Sequence, residues 1–336
     1  SGSTGQPKGI AIQHCNVVNF LLSMQKQPGI TSQDKLLAVT PISFDISVLE
    51  LFLPLISGAC LVIAAQEQRD GFSLCQRLEQ GDISLMQATP AGWQSVLDAG
   101  WKGQPGLKAL SGGEILPAQL ATQLTQKTAA LWNMYGPTET TVWSSMAAVN
   151  NTAQSKITIG RPIANTEIYV LTPNHQLCAF GQTGEIAIAG DGVSSGYYGQ
   201  PELTLSRFIR IKTAEGEKRV YLTGDLGRLT SDGQLQCLGR TDEQIKLRGF
   251  RIELTEIDAV MLTLPNIKQV ATVLHKHSAG STLVSYYCSK QPDTQDNELQ
   301  LLLQLRQHLP AYMLPERLVV LPQLPLTPSG KIDRNR

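Results

Sequence analysis

Asn133-Met134-Tyr135-Gly136-Pro137-Thr138-Glu139-Thr140-Thr141 joins an apolar run to a glycine–proline turn and closes on hydroxyl residues around one acid. Residues 131–134 read as a strand, and Gly136-Pro137 stops it, placing Thr138 and Glu139 at its end. A carboxylate there suits Mg²⁺ beside phosphates, because that ion takes few protein oxygens and keeps its waters. It equally suits the cap of a following helix. Outward from this stretch, apolar or β-branched runs at 36–40, 59–64 and 83–88 alternate with helical patterns at 16–25, 46–55, 73–80, 90–99 and 117–127. That alternation predicts βα units around a largely parallel sheet.

From about Ile157 the texture changes to short strands with glycine turns, at 167–171, 185–189, 220–222 and 227–229. The last pairs with 235–238 across Ser231-Asp232-Gly233, which predicts an antiparallel, β-rich region. Beyond Gly239 the pattern is α+β again: a helix over 255–262, strands over 270–275 and 282–288, a polar loop over 289–297 and a leucine-rich helix over 296–309. The best domain break falls at Gly239–Asp242, giving units 1–241 and 242–336.

The 336 residues are 42% hydrophobic and 17% charged, enough apolar material for a large core. Lys plus Arg equals Asp plus Glu at 28 each, so bulk charge gives no reason to expect nucleic acid or an anionic membrane as partner. Six scattered cysteines without a CxxC pair predict buried free thiols in a reducing, cytoplasmic setting. The apolar stretch 48–65 is broken by Glu50, Pro54 and Gly58, and reads as a helix followed by a buried strand. The chain opens on Ser1-Gly2-Ser3-Thr4-Gly5 without the strand that usually precedes a glycine-rich loop, which predicts a piece of something longer.

Four further stretches carry candidate chemistry. SGSTGQPKG (1–9) offers hydroxyls, glycine N–H groups and Lys8 to phosphates, though its composition equally fits a flexible linker. YLTGDLGR (221–228) places Asp225 after a strand in a glycine turn, suited to ribose hydroxyls or to an ordinary hairpin. GRTDEQIKLRGFRIE (239–253) is either a solvated basic run or a hinge with an anion-binding face, Asp242 absorbing the rotation. PLTPSGKIDR (325–334) presents Lys331 on a Pro/Gly-bounded loop.

Together with FDISVLE (44–50), GEIAIAG (184–190), Gly196-Tyr197-Tyr198 and LPAYMLP (309–315), these motifs stand in the order typical of adenylate-forming enzymes. The chain resembles nonribosomal peptide synthetase adenylation domains over essentially its whole length. The resemblance implies the remainder of a large AMP-binding subdomain, a parallel βα sheet plus a β-rich region, followed by a small swinging α+β subdomain hinged near Asp242.

It also implies ATP and Mg²⁺ as cofactors. Ser3, Thr4, Gly5 and Lys8 would hold the β,γ-phosphates; Tyr135, Thr138, Asp225 and Arg240 would hold the nucleotide. Glu139 would bind the metal, and Lys331, with Glu139 and Lys8, would be catalytic. Asp45 would pair with the α-ammonium group of an amino acid, a group acyl-CoA ligases do not need to recognise; a helix N-cap is the other reading of Asp45. Ile46, Leu49, Gln87, Leu110, Gly112, Met134, Val142 and Trp143 would line the substrate pocket. Their bulk and lack of charge favour glycine, with alanine next. Thioester transfer to phosphopantetheine on a peptidyl carrier protein, beside a condensation domain, completes the implied activity. The competing readings are an acyl- or aryl-CoA ligase of the same superfamily and an inactive fragment that docks a carrier.

Overall fold

A computed structural model describes residues 8–150, 157–241, 244–247, 250–277, 280–290, 298–325, 332 and 334. By internal contacts the chain divides into Gly9–Thr241 and a second unit of Ser1–Lys8 with Asp242–Arg336.

In the first unit Leu36, Leu37, Ala38 and Val39 are consecutive apolar residues, the signature of a strand covered on both faces. Seven strands form its main sheet: β1 (Lys35–Ala38), β2 (Cys60–Ile63), β3 (Leu85–Ala88), β4 (Gln104–Gly112), β5 (Thr128–Tyr135), β6 (Ser145–Ala148) and β7 (Arg161–Pro162). The order is β2-β1-β3-β4-β5-β6-β7; the pairings through β5 are parallel, and β6 and β7 join antiparallel.

Alternation along each strand splits the core in two. Leu37, Met86, Ala109 and Leu131 pack with helices α3 (Gly71–Glu79), α4 (Pro90–Asp98) and α5 (Ala118–Lys127). Leu36, Leu85, Leu110 and Met134 pack on the opposite face with α1 (His14–Met24) and α2 (Ser47–Ile56). Local chemistry starts the helices where they are needed: Asp70 accepts from Phe72 and Ser73 N–H at the head of α3, and Thr89 accepts from Gly92 N–H before Pro90 in α4.

The same unit carries a five-stranded antiparallel sheet. Its strands are β8 (Thr166–Leu171), β9 (Gly184–Gly190), β10 (Phe208–Thr213), β11 (Gly216–Leu229) and β12 (Leu235–Arg240), with α6 (Pro201–Arg207) before β10. The order is β10-β11-β9-β8, with β12 on β11. The second unit contains the hairpin β13 (Gln244–Leu247) with β14 (Phe250–Glu253), helix α7 (Leu254–Leu262), strands β15 (Ile267–His277) and β16 (Gly280–Ser289), helix α8 (Glu298–Leu305) and strand β17 (Arg317–Val320). β16 lies between antiparallel β15 and parallel β17, and its core includes Ile257, Met261, Leu283, Leu305 and Leu318.

Several expectations are corrected. β2 is not buried: it is an edge strand, and Ile63 is 63% exposed. Cys75 and Cys288 are buried, but Cys15 and Cys60 are exposed; all six are free. Residues 104–112 form a strand that Pro105 and Gly106 disguise as a turn. The two runs at 220–222 and 227–229 belong to one strand, β11, interrupted by a bulge. The leucine-rich helix is shorter than expected, Glu298–Leu305, and residues 291–297 lie outside those described.

A sheet covered on both faces makes a sharp prediction. Leu36→Ala and Leu37→Ala, on opposite faces and each at most 1% exposed, should each destabilise by about 2–5 kcal/mol in denaturant unfolding. A sheet with one solvated face would tolerate one of the two.

Candidate active site

The carboxyl ends of β1 and β5 lead into 39–50 and 136–143, and those of β3 and β4 carry Gln87 and Gly112. Ligands of open parallel sheets bind beyond such strand ends. The segment after β5 reverses sharply. Ser144 N–H returns to Tyr135 C=O at 2.8 Å, and a side chain on Gly136 would meet Val142 O at 2.4 Å, so only glycine allows the approach. Thr141 and Val142 both take left-handed backbone, φ 64° and 68°, a strained choice for β-branched residues. Thr141 Oγ1 donates to Gly192 C=O at 2.7 Å and helps hold it.

This reversal carries side chains to four partners. Tyr135 OH donates to Asp225 at 2.7 Å, and Thr138 Oγ1 donates to Asp45 at 2.5 Å. Glu139, 2% exposed, accepts from Tyr197 OH at 2.8 Å. Trp143 Nε1 donates to Gln87 Oε1 at 2.8 Å. Glu139 sits in a single 3₁₀ turn, Thr138–Thr140, with no α-helix following for it to cap. Asp45 is not the N-cap of α2 either; Ile46 holds that position, in helical backbone and without a side-chain cap.

Asp225 lies within β11 rather than after it, at the bulge between Leu222 and Leu226 where Gly224 has φ 74°. The bulge turns its carboxylate toward two donors: Arg240 reaches Oδ1 at 2.7 Å and Tyr135 reaches Oδ2. A carboxylate has about four acceptor sites, so these two bonds leave capacity for a ligand's hydroxyls. Burial, then the Asp225 charge, raises the Tyr135 phenol well above its ordinary pKa, so it stays a donor. Burial, then Glu139, does the same to Tyr197.

Ile46, Leu49, Leu110, Met134, Val142 and Trp143 belong to one buried cluster. A methyl group on Gly112 would meet Trp143 Cη2 at 2.5 Å and Met134 Cβ at 3.0 Å, so the indole already lies against the glycine. Lys8 belongs to the second unit, 3.9 Å from Glu253. Ser3, Thr4, Gly5, Asp242 and Lys331 lie outside the described residues. Among the described residues no cluster of three or more His, Cys, Asp or Glu is suited to a metal, and no helix is long and apolar enough to cross a membrane.

Reading by sequence missed Tyr197 and Tyr221 as site residues, although both sit in quoted motifs. Tyr197 OH lies 3.5 Å from Tyr221 OH and bonds Glu139. It missed Glu50 as well, whose buried carboxylate bonds Gln87.

The profile of the AMP-binding enzyme family matches residues 1–198, and that of the AMP-binding enzyme C-terminal domain matches 256–331. The chain belongs to the AMP-binding enzyme family, ATP-dependent ligases with the adenylate-forming fold, and within it resembles the adenylation modules of nonribosomal peptide synthetases. It is 44% identical over 335 residues, 99% of this chain and 14% of the relative, to a dimodular nonribosomal peptide synthase of Bacillus subtilis strain 168. A crystal structure of a four-domain nonribosomal peptide synthetase bound to AMP and glycine is 41% identical, with TM-score 0.69, covering 98% of this chain and 25% of that one. A Vibrio cholerae adenylation domain in complex with glycyl-adenosine-5'-phosphate is 27% identical, with TM-score 0.88, covering 99% and 64%. The chain spans 14%, 13% and 8% of the lengths of three curated relatives it matches.

The Asp225 site predicts an asymmetry in stability. Arg240→Ala leaves a carboxylate that is only 5% exposed without its cation, and should destabilise by about 3 kcal/mol. Adding Asp225→Asn should recover part of that loss in thermal unfolding; a simple sum of the two single effects would show the pair is not coupled.

Proposed function

We propose that the chain activates an amino acid, glycine in preference to alanine, as its adenylate: ATP plus amino acid gives aminoacyl-AMP and pyrophosphate. The observation that carries this reading is the pairing of Asp45 with a pocket filled by Trp143. A carboxylate beside buried apolar residues suits an α-ammonium group, and Trp143 against Gly112 leaves no place for a large side chain. The glycine and glycyl adenylate named for the two solved relatives support the same choice. A methyl group forced into a packed pocket costs about 1–3 kcal/mol, so alanine is the expected competitor.

A substrate carboxylate oxygen attacks the α-phosphorus, the bond to the β-phosphate oxygen breaks, and pyrophosphate leaves with the electron pair. The protein's task is positioning and charge. Thr138 orients Asp45 by donating to it, and the donors on Asp225 orient that carboxylate toward ribose hydroxyls. Ser3, Thr4, Gly5 and Lys8 are assigned to the β,γ-phosphates, and Lys331 to the substrate carboxylate and α-phosphate. The buried carboxylate of Glu139 fits a Mg²⁺ ion otherwise held by phosphates and water, an ion that would supply charge neutralisation there. Tyr197 holds the Glu139 carboxylate in place.

Rotation about Asp242 would withdraw Lys331 and admit a carrier protein's phosphopantetheine thiol, with the break between the large and small subdomains at 241/242. The thiol gives up its proton to solvent, its sulfur attacks the acyl carbon, the acyl–phosphate bond breaks, and AMP leaves with the electron pair. A peptidyl carrier and a condensation domain of the same synthetase are the assigned partners. Six free cysteines support a reducing compartment, and we assign the activity to the cytoplasm.

Amino-acid-dependent ATP–pyrophosphate exchange tests this. Glycine should drive it best, and Asp45→Ala and Lys331→Ala should each lower it by at least about a hundredfold. Exchange driven by a large side chain would overturn the pocket reading. Exchange with an acid lacking an amine, and with no amino acid, would make the chain an acyl ligase.

A further inference from the structure

Glu50 is fully buried on the inner face of α2, yet no step of the proposed reaction uses it. Its neighbours in the cluster include Leu49 and Leu53, both fully buried, so an apolar residue would serve packing better than a carboxylate. In each of four hydrogen bonds the carboxylate is the acceptor. Oε2 accepts from Val39 N–H at 2.8 Å and Thr40 N–H at 2.9 Å; Oε1 accepts from Thr40 Oγ1 at 2.6 Å and Gln87 Nε2 at 3.0 Å. Burial pushes the carboxyl above its ordinary range against the pull of these four donors.

Gln87, also fully buried, passes the arrangement on. Its Nε2 donates to Ile46 C=O at 3.0 Å as well as to Glu50, and its Oε1 accepts from the Trp143 indole at 2.8 Å. The orientation of this amide is fixed by its neighbours. A backbone carbonyl can only accept and an indole N–H can only donate, so the amide fits one way round. The other end of the indole, Cη2, lies against Gly112. Both ends of the Trp143 ring are therefore held, one by Gln87 and one by close packing.

We propose that Glu50 is a positioning residue for the substrate pocket: acting through Gln87, it latches the Trp143 indole across Gly112 and sets the size of side chain the pocket admits. This rests on the reading of the Asp45–Trp143 set as a substrate pocket. The polarity of the chain explains why a carboxylate is needed. In Glu50→Gln one end of the new amide must be a donor. Turned toward Val39 and Thr40, it opposes two N–H groups. Turned toward Gln87, it sets NH₂ against NH₂, so Gln87 either loses its bond to residue 50 or flips, setting an NH₂ group against the indole N–H and an oxygen against Ile46 C=O. Either way the latch loses its acceptor or its anchor.

The test uses the full chain, with glycine- and alanine-dependent exchange measured for Glu50→Gln. The ratio of kcat/KM for glycine over alanine should fall at least about tenfold, carried by the KM values, with the KM for ATP within about twofold of the parent. In a Trp143→Phe background, which has no indole N–H, Glu50→Gln should change the ratio less than about twofold. The indole N–H band in ultraviolet resonance Raman spectra should move toward weaker hydrogen bonding in Glu50→Gln, and this change should vanish when Trp143 is Phe. That readout needs no substrate, so it decides the latch even where exchange shows the amino-acid reading to be wrong. If Glu50→Gln does not fold, Gln87→Met, which removes the acceptor while keeping Glu50, should produce the same loss of selectivity and the same band shift. An unchanged ratio and band in a folded variant, or an equal effect with Phe at 143, would overturn the proposal.

Discussion

The chain reversal after β5 is the constraint on which the site depends. Gly136 passes so close to Val142 O that no side chain fits between them, and Thr141 and Val142 accept left-handed backbone to complete the turn. Strain of this kind costs about 1–3 kcal/mol per residue and persists only when neighbouring structure over-determines it. Here Ser144 N–H on Tyr135 C=O closes the turn, and β6 continues at once as a partner of β5. One short segment thereby delivers Tyr135 to Asp225, Thr138 to Asp45, Glu139 to Tyr197 and Trp143 to Gln87. The groups proposed to face nucleotide and substrate are thus positioned by the same few backbone torsions.

The doubly covered sheet supplies the rest. Because both faces are apolar, buried polar groups are tolerated chiefly where strands end and backbone N–H groups become available. Glu50 takes two such N–H groups beyond β1, and Gln87 bridges from the end of β3 to the loop before α2. Glu50 and Gln87 are each bonded to partners whose own donor or acceptor role is fixed, and such networks specify one arrangement rather than several.

Much of this was legible in the sequence because it follows from periodicity and punctuation. The parallel βα order, the antiparallel region and the Ser231-Asp232-Gly233 hairpin were readable from apolar spacing and from Gly and Pro positions. β4 was not, because Pro105 and Gly106 break the run that carries it. The exposure of β2 was not, because a sheet-edge position leaves no mark on composition. Asp225 looked like a turn residue because Gly224 has the backbone of one, although the strand continues through the bulge. The proposed site positions within the first unit rest on the ordered motifs alone, and direct contacts link several of them. The hydroxyls of Tyr197 and Tyr221 and the carboxylate of Glu50 escaped, because their partners are set by tertiary contacts, not by spacing along the chain.

The central claim is that Asp45 makes this an amino-acid site and not a plain carboxylate site. The most direct measurement is the Kd of two non-hydrolysable adenylate mimics, glycyl-sulfamoyl-adenosine and acetyl-sulfamoyl-adenosine, which differ by one ammonium group. An ion pair with the half-buried Asp45 should make the glycyl compound bind at least about tenfold more tightly, with the gap closing in Asp45→Asn. Equal affinities in the parent protein would contradict the pairing and return the pocket to the acyl ligases.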